Sequence, residues 1–255
     1  MDNLLEKRIP IPKISTIRPQ FDRRTTLSEV MDDPSLSGQT LESELDNLDK
    51  INRLLGGKGV ILQAVKEVVP NLANAETTIL EIADLGCGGG DILRQIARWA
   101  GKSGAKVKLW GLDFNSACIR YAQQKSLKFP EIEYKNADVF SGEIADNSYD
   151  IVICSLFLHH FPDERQEEIY RQLQRISRGA VIVNDLQRHW LPFFLFRMVT
   201  WVFRAPAVVR YDGLISIMRG FSRKDLAQMM VTLGIQKWRI RWKWAFRYQL
   251  VFYTG

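Results

Sequence analysis

Thr78-Ile79-Leu80-Glu81-Ile82-Ala83-Asp84-Leu85-Gly86-Cys87-Gly88-Gly89-Gly90 is the stretch on which the fold turns. Its apolar run reads as a buried strand and its glycines as a sharp turn. Ile92, Ile96 and Trp99 then give the following segment the inward stripe of a helix. Working outward, strand-like and helix-like segments alternate. Residues 106–113 read as a second strand and 116–126 as a helix. Residues 132–140 and 149–156 read as a third and a fourth strand. Residues 163–177 form a polar helix with Ile169, Leu173 and Ile176 on one face, and 179–186 is a fifth strand. This alternation predicts an α/β fold: a mostly parallel sheet with helices on both faces and ligands beyond the carboxyl ends of its strands.

The flanks are less regular. Residues 1–35 are punctuated by Pro10, Pro12, Pro19 and Pro34 and read as weakly structured. Leu41, Leu45, Leu48, Ile51 and Leu55 lie on one helical stripe, stopped by Gly56-Gly57, and a second helix runs from Gly59 to a stop at Pro70. Beyond the fifth strand, 190–204 is strongly apolar with Arg197, Thr200 and Arg204 on a narrow polar stripe. Ser222 to Asp225 is a capping box opening a helix that ends at Gly234. Residues 236–250 alternate Trp238, Ile240, Trp242, Trp244 and Phe246 against Lys237, Arg239, Arg241 and Lys243, as a long strand or bent pair at the sheet edge.

At 255 residues the chain suits one large domain with an N-terminal extension. It is divided here into 1–75 (extension and cap helices) and 76–255 (catalytic domain), with a helical, substrate-covering insertion at 187–221. The net charge of +6 permits an anionic partner. The aromatics fall in no RNA-binding motif, however, and no Cys/His spacing suggests a metal, so neither nucleic acid nor a metal ion is expected. Three scattered cysteines and an opening MDNLLEKRIP without an apolar core point to a cytoplasmic location.

The glycine loop alone could serve several nucleotides. A dinucleotide fingerprint would need glycine where Asp91 stands. Asp84 places a carboxylate at the strand end, repulsive to a pyrophosphate and attractive to a ligand bearing an ammonium and a sulfonium, as S-adenosylmethionine does. Asp113, ending the second strand, is placed to accept both hydroxyls of a ribose. Asp138, in the run that ends the third strand, is placed to accept from an adenine amino group, with the Val139 amide meeting a ring nitrogen.

With those residues in view, 78–186 resembles the class I S-adenosylmethionine-dependent methyltransferase family, in its ubiquinone-biosynthesis-like branch. DLGCGGG, GLDFN, NADVF and YDIVICSLFLHHF match its first four motifs. The resemblance implies a Rossmann-like seven-stranded sheet with an antiparallel last strand. It carries cofactor roles to Asp84, Gly86, Gly88, Asp113 and Asp138, backbone contacts to Cys87 and Ser155, and packing on the adenosine to Phe114. Arg53 becomes a candidate for the cofactor carboxylate, because N-terminal helices of this family can cover that site; a solvated helix arginine is the rival reading. MDDP, INRLLGG and NDLQRH also resemble methyltransferases found beside type III polyketide synthases, which places the chain in secondary metabolism.

Transfer to oxygen needs a proton removed, and two of the three histidines, His159 and His160, follow the fourth strand. Asp185 ends the fifth. A His–Asp pair is expected to act as general base, with His160 placed ahead of His159 and structural hydrogen bonding as the alternative. The aromatic-rich 190–203 segment reads as a lid over a greasy acceptor, as extra core, or as a peripheral membrane contact through 190–204. Arg204, Arg210 and Arg219 read as solvated single charges. The expected activity is O-methylation of a small hydrophobic, phenolic or polyketide-like acceptor. The alternatives are an NAD-dependent oxidoreductase and a non-catalytic cofactor- or RNA-binding module.

Overall fold

The computed structural model describes residues 14, 17–33, 38–54, 56–72 and 79–254; the readings that fall on 1–13, on Pro34 and on Thr78 lie outside the described residues. In chain order the elements are α1 (Gly38–Leu54), α2 (Gly57–Leu72), β1 (Leu80–Leu85), α3 (Asp91–Ser103), β2 (Val107–Asp113), α4 (Ser116–Lys125), β3 (Ile132–Asn136) and β4 (Tyr149–Ser155). They continue with α5 (Asp163–Ile176), β5 (Ser177–Leu186), α6 (Trp190–Val202), α7 (Ala207–Arg219), α8 (Arg223–Thr232), β6 (Trp238–Lys243) and β7 (Arg247–Tyr253).

The strands form one sheet in the order β3-β2-β1-β4-β5-β7-β6. β1 pairs in parallel with β2 and β4, β2 with β3, and β4 with β5, whereas β7 runs antiparallel to both β5 and β6. The expected fold class holds. The order reverses between β1 and β4, so the chain leaves the sheet in opposite directions there and opens a crevice at the carboxyl edge.

Side-chain alternation separates two cores. Ile82, Ile151, Ile153, Ile182 and Val251 face α2 and α3, while Ala83, Val152, Cys154, Val183 and Phe252 face α5 and α8. Burial on both faces explains why the central strands are nearly uninterrupted apolar runs. A third, smaller core joins α6 and α7 through Phe193, Leu214, Ile215 and Met218, and Ile17 packs into it from the N-terminal segment.

Several readings need correction. α2 passes through Pro70 to Leu72, because the apolar face formed by Ile61, Val65 and Val68 is held against the sheet. It is therefore a layer helix rather than a cap. β3 stops at Asn136, whose side chain donates to the carbonyls of Asp113 and Phe114 and turns the chain. The alternating 236–250 run is a hairpin in which β7, not the whole run, is interior. Cys87 lies in the loop after β1 rather than in an element, although all three cysteines are buried. Residues 17–33 are not loose: Arg24 Nη2 donates to the carbonyls of His159 (2.9 Å) and Phe161 (2.8 Å), and its Nε to that of Arg219 (2.6 Å).

Candidate active site

The crevice is one wall of a cavity of about 1240 Å³ that collects nearly every residue singled out from the sequence. The exceptions are Asp185, which is buried behind His159 and does not line the cavity, and Arg53, which lies on α1 but whose side chain is outside the described residues.

The glycine loop builds one end. Gly86 has φ of 66°, and a Cβ there would overlap the Phe157 ring. Gly88 also has positive φ, 49°, but meets only Leu45 of α1, at 3.5 Å. So Gly86 lets a side chain pack behind the loop, while Gly88 leaves room on its cavity side. The amide of Cys87 is donated to Leu112 and its carbonyl accepts from Gly90, so this residue mainly holds the turn. Asp113 accepts one backbone N–H on each oxygen, from Gly88 (3.0 Å) and Asn115 (2.9 Å), which fixes its carboxylate at the end of β2. Asp138 is exposed and accepts from the Phe140 amide; Val139 is buried, and Phe114 is 59 % exposed against the cavity. Ser155 Oγ accepts from Asn184 at the end of β4.

Asp84 is 2 % exposed. Burial, and then the like charges of Asp91 and Asp113, push its carboxyl well above the usual range. Asp113 is raised too, by burial. A cavity end that gathers desolvated carboxylates lacks positive charge, so it suits a cationic adenosyl ligand and disfavours a pyrophosphate.

The other end was only half legible. His159 is buried, its Nδ1 2.7 Å from Asp185 Oδ1, and its amide is donated to Asp185 Oδ2 at 3.2 Å. Burial works against ionised Asp185, but His159, the Leu186 amide and His160 together outweigh it and the carboxyl lies below its ordinary value. The ionised carboxylate accepts from Nδ1, which leaves Nε2 as the acceptor nitrogen. His159 Nε2 sits 3.5 Å from Glu29 Oε1, and neither atom has a hydrogen-bond partner. His160 Nδ1 lies 2.5 Å from Asp32 Oδ1, and Arg219 binds the second oxygen of the same carboxylate at 2.5 Å. Burial alone would lower the His160 pKa; Glu29 and Asp32 overcome it and raise it to about 9. His160 is thus a cation at neutral pH, and its role as a free base is disfavoured relative to His159.

Glu29, Asp32, Asp212 and Arg219 were missed. Arg219 is not solvated but buried, lying 3.8 Å from Glu29 and bonded to Asp32 and to the carbonyl of His160. Asp212 accepts the amides of Val30 (2.7 Å) and Met31 (3.0 Å), so α7 clamps the 29–32 turn against the histidines. Glu29, His159 and His160 come close enough to resemble a metal triad. However, the Arg219 guanidinium and the His160 cation already neutralise Glu29 and the neighbouring Asp32.

The Asp32–His160 pair has a definite pH signature. The contribution of His160 to stability is complete below its ordinary value of 6.5 and is lost as pH rises through about 9. That of Asp32 is complete above 3.8 and is lost as pH falls. Asp32→Asn is expected to drop the His160 titration, followed by its ring NMR signals, toward about 6.5.

Fold and site together define a Rossmann-like domain built around a cationic nucleoside ligand. Residues 82–179 match a family model described as a methyltransferase domain. The chain is 33% identical over 101 residues to a 2-phytyl-1,4-naphtoquinone methyltransferase of Thermosynechococcus vestitus, covering 39% of this chain but 44% of that protein. It is 22% identical over 209 residues to a ubiquinone/menaquinone biosynthesis C-methyltransferase of Rickettsia bellii, covering 77% and 83% of the two chains. The fold is shared with a methyltransferase from Aquifex aeolicus at a TM-score of 0.59 and 15% identity, over 84% of this chain and 98% of that one. Residues 82–179 therefore carry a methyltransferase domain, and the desolvated carboxylates at the glycine loop fit S-adenosylmethionine as its cofactor.

Proposed function

We propose that the chain moves a methyl group from S-adenosylmethionine to a phenolic hydroxyl of a small hydrophobic acceptor, in the cytoplasm. The observation that carries this reading is the His159–Asp185 pair, with His159, whose Nε2 is unpartnered, among the residues lining the same cavity as the glycine loop. Bound S-adenosylmethionine supplies an electrophilic methyl group. The protein's residues do the rest. In this reading Asp84 holds the ammonium, Asp113 the ribose and Asp138 with Val139 the adenine, while Phe114 covers the nucleoside. An acceptor hydroxyl that displaces Glu29 Oε1, 3.5 Å from His159 Nε2, would donate to the imidazole, which takes the proton as the oxygen attacks. Asp185 holds the ring and supports its cation, and the His160 cation stands beside the developing phenolate.

The relatives, a 2-phytyl-1,4-naphtoquinone methyltransferase and a ubiquinone/menaquinone biosynthesis C-methyltransferase, support a hydrophobic phenol-type acceptor. A C-methylation reading also has support, since one relative is a C-methyltransferase and the same deprotonation activates a ring carbon. The test is incubation with S-adenosylmethionine and a panel of alkylphenols and quinols, followed by mass spectrometry and product NMR. An O-methyl resonance supports the proposal, a C-methyl resonance selects the second reading, and binding of NAD in place of S-adenosylmethionine overturns both.

Within the 1–75 segment, residues 17–33 and α1, together with the 187–221 insertion, are proposed to cover the acceptor, and α6 to touch an anionic membrane. No helix among the described residues is long and apolar enough to cross a bilayer. Yet α6 and its C-cap expose Trp190, Phe194, Met198, Trp201, Val202 and Phe203, and residues 189–211 contain Arg197, Arg204 and Arg210 and no acid. An apolar, cationic surface of this kind suits a headgroup interface. Met198→Glu with Trp201→Glu is expected to abolish cosedimentation with phosphatidylglycerol vesicles while leaving S-adenosylmethionine affinity unchanged; equal sedimentation of the variant would refute the contact.

A further inference from the structure

The largest fully buried side chain of the described residues is an arginine without a partner. Arg247 opens β7 at the carboxyl edge of the sheet, is 2 % exposed, and lines the cavity. Neither its Nε nor its Nη1 makes a hydrogen bond. Burial pulls its pKa down to about 10, and the one charge that supports it, Asp185, is engaged with His159. The group therefore remains a cation at neutral pH, and a buried unpaired guanidinium is costly unless an anion comes to it.

Its surroundings are also built for an anion. Gly57 is the first residue of α2, a 16-residue helix with no acid in its first turn, so the positive end of the helix dipole points into this corner. A Cβ on Gly57 would stand 2.6 Å from Arg247 Nη1 and 2.5 Å from Asn52 Oδ1. Glycine thus lets the guanidinium and the Asn52 amide oxygen come up against the helix terminus. Two positive elements face each other there, and among the described residues no carboxylate is bonded between them.

The position says which ligand this corner serves. β7 lies beside β5, whose end carries Asp185, and is separated by β5 and β4 from β1 and the glycine loop. We propose that Arg247, with the N-terminus of α2, forms an oxyanion subsite for a carboxylate carried by the methyl acceptor, so that the enzyme selects acidic phenols. This inference rests on the methyltransferase reading, because it assigns the ligand by its distance from the cofactor end. The same chemistry could come from the cofactor's own carboxylate, and the experiment separates the two sources.

Protein saturated with S-adenosylhomocysteine would be titrated with 4-hexylbenzoate and with the neutral 4-hexylbenzamide. The acid is expected to bind at least tenfold tighter than the amide, a comparison that needs no variant. In Arg247→Met this preference is expected to vanish while affinity for S-adenosylhomocysteine stays within about twofold; Arg247→Lys should keep part of it. Equal binding of acid and amide by the unaltered protein overturns the subsite. So does a variant that loses S-adenosylhomocysteine relative to methylthioadenosine, which lacks the carboxylate, because that assigns Arg247 to the cofactor. Failure to bind S-adenosylhomocysteine at all would instead sink the methyltransferase reading.

Discussion

Asp185→Asn is expected to lower kcat by about 10²–10³-fold at neutral pH while leaving the dissociation constant for S-adenosylmethionine within about twofold. The carboxylate accepts from His159 Nδ1 at 2.7 Å, and its other oxygen accepts the His159 amide at 3.2 Å. An asparagine can present its NH₂ to Nδ1 and so favour the tautomer with the proton on Nε2, which cannot act as a base. His159→Gln is expected to cost about as much, and the double variant little more, since the two residues act as one unit. A purely structural role would slow all acceptors alike. The dyad predicts instead that the deficit shrinks as the acceptor phenol becomes more acidic, because a phenol already ionised needs no base. A rate ratio between the original protein and the variant that is flat across phenols with pKa from roughly 7 to roughly 10 would remove the base.

The residues of that unit show how far the sequence reading reached and where it stopped. The β1–loop–α3 unit was legible because a parallel strand buried on both faces must be apolar and its turn must allow positive φ, both local requirements. Asp113 followed, since it ends a strand whose register is set by its neighbour, and Asp138 since it lies just beyond the end of the next. The partners of the histidines were not legible. Glu29 and Asp32 lie in a proline-punctuated segment, and Asp212 and Arg219 on a helix expected only as a lid. Their meeting with His159 and His160 depends on α7 packing against the chain's beginning, a relation with no sequence period. One signal was available: Asp212 and Arg219 interrupt an apolar helix face, beside Tyr211, Leu214, Ile215 and Met218. Arg247 and Gln249 interrupt the buried run of β7 in the same way. Charges placed where both sides are apolar mark paired or ligand-seeking groups. The hairpin was ambiguous for a different reason, since alternation alone fixes which side chains share a face but not where the strand bends.

At the cofactor end, Asp84→Asn is expected to weaken S-adenosylmethionine binding by about 10²–10³-fold, the equivalent of roughly 3–4 kcal/mol. The size follows from burial. Asp84 is 2 % exposed and lies among like charges, so an ammonium that reaches it exchanges hydration for a carboxylate in a desolvated pocket. An amide of the same shape offers that ammonium only a dipole. The direction of the pH dependence follows from the same facts. Burial, then Asp91 and Asp113, raise the Asp84 pKa in the unliganded protein, so part of the population holds a proton there. A cation binds the ionised form, and affinity should therefore rise with pH until the raised pKa is passed. Calorimetry in two buffers of different ionisation enthalpy should register a proton released on binding, and in Asp84→Asn that release should shrink. If the variant keeps both the affinity and the proton release, the ammonium is held elsewhere. The carboxylate at the end of β1 would then be a buried acid kept neutral by its neighbours, and the cationic half of the ligand would have to be assigned to Asp91 or Asp113.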